Sequence, residues 1–279
     1  MYNDAMNPFC GSLACVTGGS SGIGLAIARR LAVHGARIVL IARTPERLSA
    51  ARAHIVSLVP DASVDTVALD VTDQAAVRLA AADIVAQRGA LRFLFNCAGD
   101  ALPGRFDRYF GEDLRRLVTV NLEGTWNMTQ AFIDALRLTG GHVVNVASLA
   151  GLVGTTGYTA YAASKFAVVG FSEALRNELA ADGVRVSVLC PGDTDTPQLA
   201  AEREHKPPET AALSARARVL SPDRVATACL RGVRRGRFLI LAGGEARLIV
   251  WLKRFAPWIL FRWMDGMVLR ALQGTRSAP

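Results

Sequence analysis

The sequence lacks several patterns that mark particular protein classes. It has five cysteines but no Cys-x-x-Cys pair, so it predicts neither a disulfide framework nor a metal site. Unpaired thiols suit a reducing compartment such as the cytoplasm. Residues 1–12 lack the basic and apolar blocks of a secretory signal, and no run of about 20 apolar residues suggests a membrane span. The cysteines are Cys10, Cys15, Cys97, Cys190 and Cys229.

Lysine is also scarce, and the basic charge that is present is unevenly placed. The only lysines are Lys165, Lys206 and Lys253. The net charge is +8, and residues 231–270 alone contain nine basic and two acidic residues. Such a segment attracts phosphate, nucleic acid or anionic lipid. Because no nucleic-acid recognition motif accompanies it, we expect no nucleic-acid partner.

Short apolar runs alternate with helix-like stretches along most of the chain. Strands are predicted at 13–17, 37–42, 64–69, 91–96, 142–147, 185–189 and 237–241. Helices are predicted at 22–34, 45–58, 75–88, 114–138 and 158–181. Strands rich in Val, Ile and Leu that alternate with helices are typical of a parallel sheet covered on both faces. The sequence therefore predicts a single-domain α/β Rossmann fold with a doubly wound sheet of about seven strands.

Two segments stand apart from this alternation. Within the predicted domain, residues 1–245, the polar stretch 193–221 follows a strand, and we interpret it as a mobile substrate lid, with an inert surface excursion as the alternative. Residues 246–279 form an apolar, basic C-terminal extension, in which Pro257 is expected to break or kink a helix. Its Trp and Arg residues suit the surface of an anionic membrane. An oligomer interface or a substrate-pocket wall would use the same residues.

A glycine-rich segment follows the first predicted strand and opens the first helix. Glycine permits a tight turn and lets backbone N–H groups approach a pyrophosphate, and the helix N-terminus adds partial positive charge. In this strand–turn–helix context the segment predicts a dinucleotide site. The candidate residues are Thr17, Gly18, Ser20, Ser21, Gly22, Ile23 and Gly24.

The ends of the next strands supply further candidates for the same crevice. No acidic residue stands at the end of the second strand, where one would bind an unphosphorylated ribose. Arg43 stands there instead and could pair with a 2′-phosphate, which favours NADP(H) over NAD(H) unless Arg43 is merely solvated. Asp70 follows the third strand, although it could instead cap the helix that follows. Val71, Asn96, Ala98 and Gly99 lie at the same predicted edge.

A tyrosine and a lysine are spaced for proton transfer. Lys165 follows Tyr161 by four residues in a predicted helix, so both side chains share one face. A nearby ammonium is expected to lower the phenol pKa and make the pair an acid/base at neutral pH. Ser148 follows the fifth strand and could bond a substrate carbonyl, or be a turn serine. Tyr158 lacks a lysine four residues later, and Asn121 occupies an unusual mid-helix position.

Together these residues resemble the short-chain dehydrogenase/reductase family over residues 13–197. The resemblance implies a tetrad of Asn121, Ser148, Tyr161 and Lys165. In that scheme Tyr161 is the acid/base, Ser148 polarises the carbonyl, Lys165 tunes the phenol and binds the nicotinamide ribose, and Asn121 holds a water relay. It also implies cofactor contacts from Tyr161, Lys165, Pro191, Gly192 and Thr194. Cys97 departs from the family, which usually has a second asparagine there.

A narrower resemblance involves residues 191–197 and 206–210, which are similar to segments of 3-ketodihydrosphingosine reductases. It implies NADPH-dependent reduction of 3-ketosphinganine to sphinganine. A 3-oxoacyl thioester, a steroid or a retinoid remains an alternative keto substrate. A membrane-bound NADP(H) sensor or scaffold with little catalysis is an alternative of another class. We also expect that the protein can form a homo-oligomer and can contact the cytoplasmic face of the membrane peripherally.

Overall fold

A parallel seven-stranded sheet forms the centre of the protein. The computed structural model describes residues 7–215 and 217–276, with side chains described as far as residue 273. The sheet order is β3-β2-β1-β4-β5-β6-β7, and every recorded strand pair is parallel. The strands are β1 (Leu13–Thr17), β2 (Arg37–Ala42), β3 (Val64–Ala68), β4 (Phe93–Asn96), β5 (His142–Val146), β6 (Arg185–Cys190) and β7 (Leu239–Leu241). The predicted doubly wound fold is confirmed.

Helices cover both faces of this sheet. They are α1 (Gly22–Val33), α2 (Pro45–Leu58), α3 (Gln74–Arg88), α4 (Gly111–Val118), α5 (Gly124–Thr139), α6 (Thr159–Glu178), α7 (Pro197–Arg203), α8 (Pro208–Ser214), α9 (Pro222–Arg234), α10 (Gly244–Phe255) and α11 (Pro257–Arg276). One apolar core joins the sheet to α1, α2 and α9. The other joins it to α3, α5 and the C-terminal part of α6.

The alternation of side chains along β1 explains why there are two cores. Ala14 and Val16 belong to the core beneath α1, while Leu13 and Cys15 belong to the core beneath α3 and α5. All four are buried, because successive side chains of a strand point to opposite faces of the sheet. A strand buried on both faces must be apolar at every position, as the sequence pattern indicated. Because helices cover both faces of the sheet, a ligand is expected at the carboxyl edge of the strands.

The predicted long helix at 114–138 is confirmed, since residues 111–139 are helical without a break, but it contains a π-helical turn that the sequence did not predict. The chain forms α4, then a π-helical turn at Thr119–Glu123, and then α5. Single π turns occur within helices, often at functional sites, and this one contains Asn121. A Cβ atom on Gly124 would lie 2.6 Å from Val71 Cγ2, so glycine is needed where α5 meets the loop after β3.

The segments outside the predicted alternation are helical. Residues 193–221 include α7 and α8, and Thr196 caps α7 by accepting a hydrogen bond from the Leu199 N–H at 3.2 Å. The C-terminal extension forms α10 and α11, divided before Pro257 as expected. Among the described residues, no helix has both the length and the apolar content needed to cross a bilayer.

Candidate active site

The glycine-rich turn has the tight geometry that the sequence predicts. Gly18 has a φ of +62°, and a Cβ atom there would lie 2.9 Å from the Ala98 amide nitrogen, so a side chain would be both strained and blocked. The turn delivers the chain to the N-terminus of α1, where Ser21 is the N-cap but makes no capping bond with its own hydroxyl. Backbone N–H groups and the positive end of α1 therefore face the cleft, as a pyrophosphate site requires.

Two predicted cofactor residues lie behind this turn and do not line the cleft. Thr17 is 1% exposed, and its hydroxyl oxygen accepts hydrogen bonds from the N–H groups of Cys97 and Ala98, each at 3.0 Å. Asn96 is equally buried and donates to the side chains of Thr129, at 3.0 Å, and Asn145, at 2.9 Å. Thr17 therefore holds the loop after β4 in place, while Asn96 ties β4 to α5 and β5, and neither side chain lines the cleft.

Basic side chains gather where the second strand ends. Arg43 follows β2, and Arg47 lies in the first turn of α2; both are exposed and both line the cleft. Neither guanidinium has a recorded acidic partner in the described part of the chain, so both are available to a phosphate. The sequence analysis identified Arg43 but not Arg47. Arg47 could have been proposed as well, because it follows Arg43 by four residues at the start of a predicted helix.

Asp70 lines the same part of the cleft but is not the cap of α3. Its Oδ1 accepts from the N–H of Thr72 at 3.0 Å and from the Thr72 hydroxyl at 2.8 Å. The cap is Asp73, which accepts from the Ala76 N–H at 3.0 Å. The alternative role considered for Asp70 is therefore wrong, and its carboxylate is held at the edge of the cleft beside Val71.

The structure brings the predicted serine, tyrosine and lysine together. Ser148 follows β5 and accepts a hydrogen bond from the Ala150 N–H at 3.1 Å, and its hydroxyl also bonds the Tyr161 phenol. Lys165 lies one helical turn after Tyr161, with its Nζ 5.8 Å from the centre of the tyrosine ring. That ammonium donates to the Val146 carbonyl at 3.0 Å. All three side chains line one cleft of ≈ 1180 Å³.

The protonation behaviour of this group differs from the prediction. Burial raises the pKa of the Tyr161 phenol, and the hydrogen bond from Ser148 is the largest influence that lowers it. The predicted net lowering of the Tyr161 pKa is therefore wrong for the protein by itself. Burial also lowers the pKa of Lys165 to about 8. The phenol is thus protonated at neutral pH, which is the form that can donate a proton.

Asn121 braces the site from the π turn. Its Oδ1 accepts from the Asp100 N–H at 2.8 Å, and its Nδ2 donates to the Asp100 carbonyl at 3.0 Å and the Ser164 hydroxyl at 2.9 Å. It does not line the cleft. A Cβ atom on Gly99 would lie 3.0 Å from Asn121 Oδ1 and 3.2 Å from Lys165 Nζ. The side chains of Asn121 and Lys165 therefore both lie close to Gly99, and a larger residue there would crowd them.

Most of the predicted site residues share the cleft. Besides the tyrosine, lysine and serine, those that line it are Gly18, Ser20, Ser21, Gly22, Ile23, Gly24, Arg43, Asp70, Val71, Ala98, Gly99, Pro191, Gly192 and Thr194. The predicted residues that do not line it are Thr17, Asn96 and Asn121. Each of these three is 1% exposed. Thr17 and Asn121 are hydrogen-bonded to loops that line it, and Asn96 is hydrogen-bonded to Thr129 and Asn145. A dinucleotide therefore fits the arrangement, with room left for a second molecule beside Tyr161.

Sequence reasoning did not find the apolar wall of this cleft. Leu199 of α7 and Leu213 of α8 line it, and so do Leu260, Trp263 and Met267 of α11. Helix α11 packs mainly against α8, and Leu260 and Met267 are buried in this contact region. One face of α11 thus lines the cleft, as the substrate-pocket alternative for the C-terminal extension expects. Segment 193–221 supplies α7 and α8 to the same wall, in keeping with its predicted place over the sheet edge.

Comparison with known proteins agrees with this geometry. The short chain dehydrogenase family model matches residues 12–207. The 3-dehydrosphinganine reductase TSC10B of Arabidopsis thaliana is 34% identical over 229 residues, which are 81% of this chain and 68% of that protein. The granaticin polyketide synthase putative ketoacyl reductase 1 of Streptomyces violaceoruber is 39% identical over 196 residues, 69% of this chain and 71% of that protein.

A solved structure shows the same likeness in three dimensions. The actinorhodin polyketide ketoreductase with NADPH superimposes with a TM-score of 0.76 at 31% identity, covering 85% of this chain and 97% of that one. The chain therefore belongs to the short-chain dehydrogenase family. It is an oxidoreductase of that family, and the relatives named above are reductases of keto compounds.

Proposed function

We propose that the protein reduces a long-chain 3-keto lipid, 3-ketosphinganine, to the secondary alcohol with NADPH. The observation that supports this most strongly is the cleft itself. The Tyr161–Ser148 pair lies between a dinucleotide turn and an apolar wall from α7, α8 and α11. An acyl chain fits such a wall, because apolar surface buried there is removed from water. The 3-dehydrosphinganine reductase relative supports the same substrate.

The side chains have separate tasks in this reaction. When bound, NADPH supplies the hydride to the carbonyl carbon. Tyr161 donates its phenolic proton to the carbonyl oxygen, and Ser148 bonds that same oxygen and orients it. Lys165 binds the nicotinamide ribose and stabilises the phenolate that remains. Asn121 holds the Asp100 backbone in place near Lys165, and the family resemblance implies that it also holds the water from which the phenolate would be reprotonated.

The phosphorylated cofactor is favoured by charge at the ribose end. Arg43 and Arg47 offer two guanidinium groups where an NAD-binding chain would have a carboxylate. Guanidinium groups bind phosphate through paired, charge-assisted hydrogen bonds. The neighbouring structure with NADPH agrees with this choice for its own protein.

We further propose that the outer face of α10 and α11 rests on an anionic lipid surface. Trp251, Phe255 and Trp258 are 55–69% exposed, and the rings of the first two lie 5.6 Å apart. Lys253 of α10 places its Nζ 4.2 Å from the centre of the Phe261 ring of α11. Exposed aromatic and cationic groups that alternate on one surface match the bilayer interface. The other face of α11 lines the cleft, so a lipid substrate would have a short path from membrane to site.

Side-by-side turnover of candidate ketones tests the proposed reaction. The panel is 3-ketosphinganine, a 3-oxoacyl thioester, a steroid ketone and retinal, each with NADPH and with NADH. We expect the highest kcat/KM for 3-ketosphinganine with NADPH, because this substrate places a carbonyl at Tyr161 and a long chain along the apolar wall without a bulky thioester carrier. A higher kcat/KM for the thioester would support the ketoacyl reductase alternative. No cofactor oxidation with any ketone would contradict the enzymatic function and favour a sensor.

A further inference from the structure

A buried carboxylate lies beside the catalytic phenol, and the reaction described above does not use it. Glu202 of α7 is 9% exposed and lines the active-site cleft. Its Oε2 accepts a hydrogen bond from the Tyr158 hydroxyl at 2.6 Å, and its Oε1 accepts from Gln198 Nε2 at 3.2 Å. The Tyr158 and Tyr161 rings lie 5.6 Å apart. Glu202 is therefore hydrogen-bonded to a tyrosine whose ring contacts that of the proton donor, Tyr161.

The two groups that donate hydrogen bonds to Glu202 are neutral, so neither balances its negative charge. A carboxylate has about four acceptor positions, and two are used here. No cation of the described chain forms an ion pair with it; Lys206, one turn later, donates instead to the Ser214 hydroxyl at 3.1 Å. Burying an ionised carboxylate without a cation is costly. A site of this kind is stabilised when a ligand brings the positive charge.

A second acidic residue makes the same region more negative. Asp193 also lines the cleft. Burial is the main cause of the raised pKa of Tyr161, and the charges of Glu202 and Asp193 raise it further, so both carboxylates act on the catalytic phenol. A cation beside them would lower that pKa and make Tyr161 a stronger proton donor.

We propose that Glu202, held by Tyr158 and Gln198, binds the ammonium group of the substrate, so that the enzyme selects ketones bearing a free amine next to the carbonyl. This inference rests on the proposed keto-lipid reduction and narrows its substrate class. An N-acylated amine is neutral and bulkier, and a phosphate-bearing thioester is anionic, so both fit a buried carboxylate poorly. Tyr158 has no lysine four residues later, as Tyr161 has. In this proposal its role is to position Glu202.

Three substrates with the same alkyl chain test the site. They are the 2-amino-3-ketone, its N-acetyl derivative and the 3-ketone without the amine, all reduced with NADPH. We expect the wild-type enzyme to prefer the free amine. Glu202→Gln should raise KM for the amine by about 10- to 100-fold, since the negative charge that pairs with the ammonium is lost, and leave KM for the amine-free ketone nearly unchanged. Tyr158→Phe should act in the same direction with a smaller effect.

Controls separate this proposal from its foundation. Glu204→Gln changes an exposed carboxylate two residues away and should leave the preference intact. NADPH fluorescence should report unaltered cofactor binding in every variant. If the wild-type enzyme reduces amine and amine-free ketones equally well, or Glu202→Gln weakens all three substrates alike, the ammonium site is wrong while the keto-lipid function stands. If the wild-type enzyme reduces none of them, the proposed function itself fails.

Discussion

At the scale of residues, the proposed preference for NADPH depends on single arginine side chains. Arg43→Ala removes the guanidinium that faces the expected 2′-phosphate. We expect KM for NADPH to rise about 10- to 100-fold, because a charge-assisted hydrogen bond is lost, while KM for NADH changes little. Arg43→Ala combined with Arg47→Ala should widen this difference. Steady-state kinetics with both cofactors measure it.

A matched control shows whether the effect is local. Arg78 of α3 is exposed and does not line the cleft, so Arg78→Ala should leave both KM values unchanged. Equal losses with NADPH and NADH in the Arg43 variant would contradict a phosphate contact. They would instead indicate that Arg43 only supports the shape of the loop.

The site residues that were predicted are marked by local sequence patterns, whereas those that were missed depend on contacts between distant parts of the chain. Tyr161 and Lys165 are spaced along one helix, and Gly18 lies in a turn directly after a strand, so local sequence is enough to find them. Glu202 is significant only because Tyr158, 44 positions earlier, donates to it. A contact of that kind is set by the packing of the whole fold. The raised pKa of Tyr161 was missed for the same reason, since burial cannot be read from a spacing.

At the scale of elements, the C-terminal helices have two faces, one lining the cleft and one that we propose contacts lipid. Replacing Trp251 and Trp258 together with serine should reduce binding to phosphatidylglycerol vesicles about tenfold or more, because apolar interfacial area is lost. Flotation of the full chain with these vesicles measures the bound fraction. Wild-type binding should fall with phosphatidylcholine vesicles and at high salt, since the basic groups then contribute less.

Leu79→Ser is the control for this experiment, because Leu79 of α3 is a comparably exposed apolar residue, 70% exposed, on a different surface. It should leave vesicle binding unchanged. If the wild-type chain does not float but forms a concentration-dependent dimer that the tryptophan substitutions abolish, the face is an interface between two copies. That outcome would contradict the membrane proposal.

An apolar stripe that faces the sheet made several helices predictable, although α9, which has such a stripe, was missed. The bounds of α1, α2 and α3 follow from such stripes. The short helices α7 and α8 have too few residues for a period to show, and their sequence is polar and rich in proline. They are stabilised instead by capping at Thr196 and by packing of α8 against α11, which is tertiary information. The π turn at Asn121 likewise leaves no trace in a hydrophobic pattern.

At the scale of the whole molecule, the two-sided sheet brings distant segments to one edge. The turn after β1, the serine after β5, the tyrosine and lysine of α6 and the wall from α11 meet in one cleft. The doubly wound parallel arrangement and the number of strands could be predicted because parallel strands alternate with helices and connect with one handedness. The closure of the cleft by the C-terminal helix could not, since the same Trp- and Arg-rich sequence suits a membrane, a subunit or a substrate.

The most direct test of the account compares Tyr161→Phe with the wild-type chain in NADPH-dependent reduction of 3-ketosphinganine, followed by loss of NADPH absorbance. The variant keeps the ring but has no proton to give, so kcat should fall about 10²- to 10⁴-fold, while NADPH binding measured by fluorescence stays the same. Undiminished turnover by Tyr161→Phe, with the cofactor bound as tightly as before, would contradict the assignment of proton transfer to this phenol.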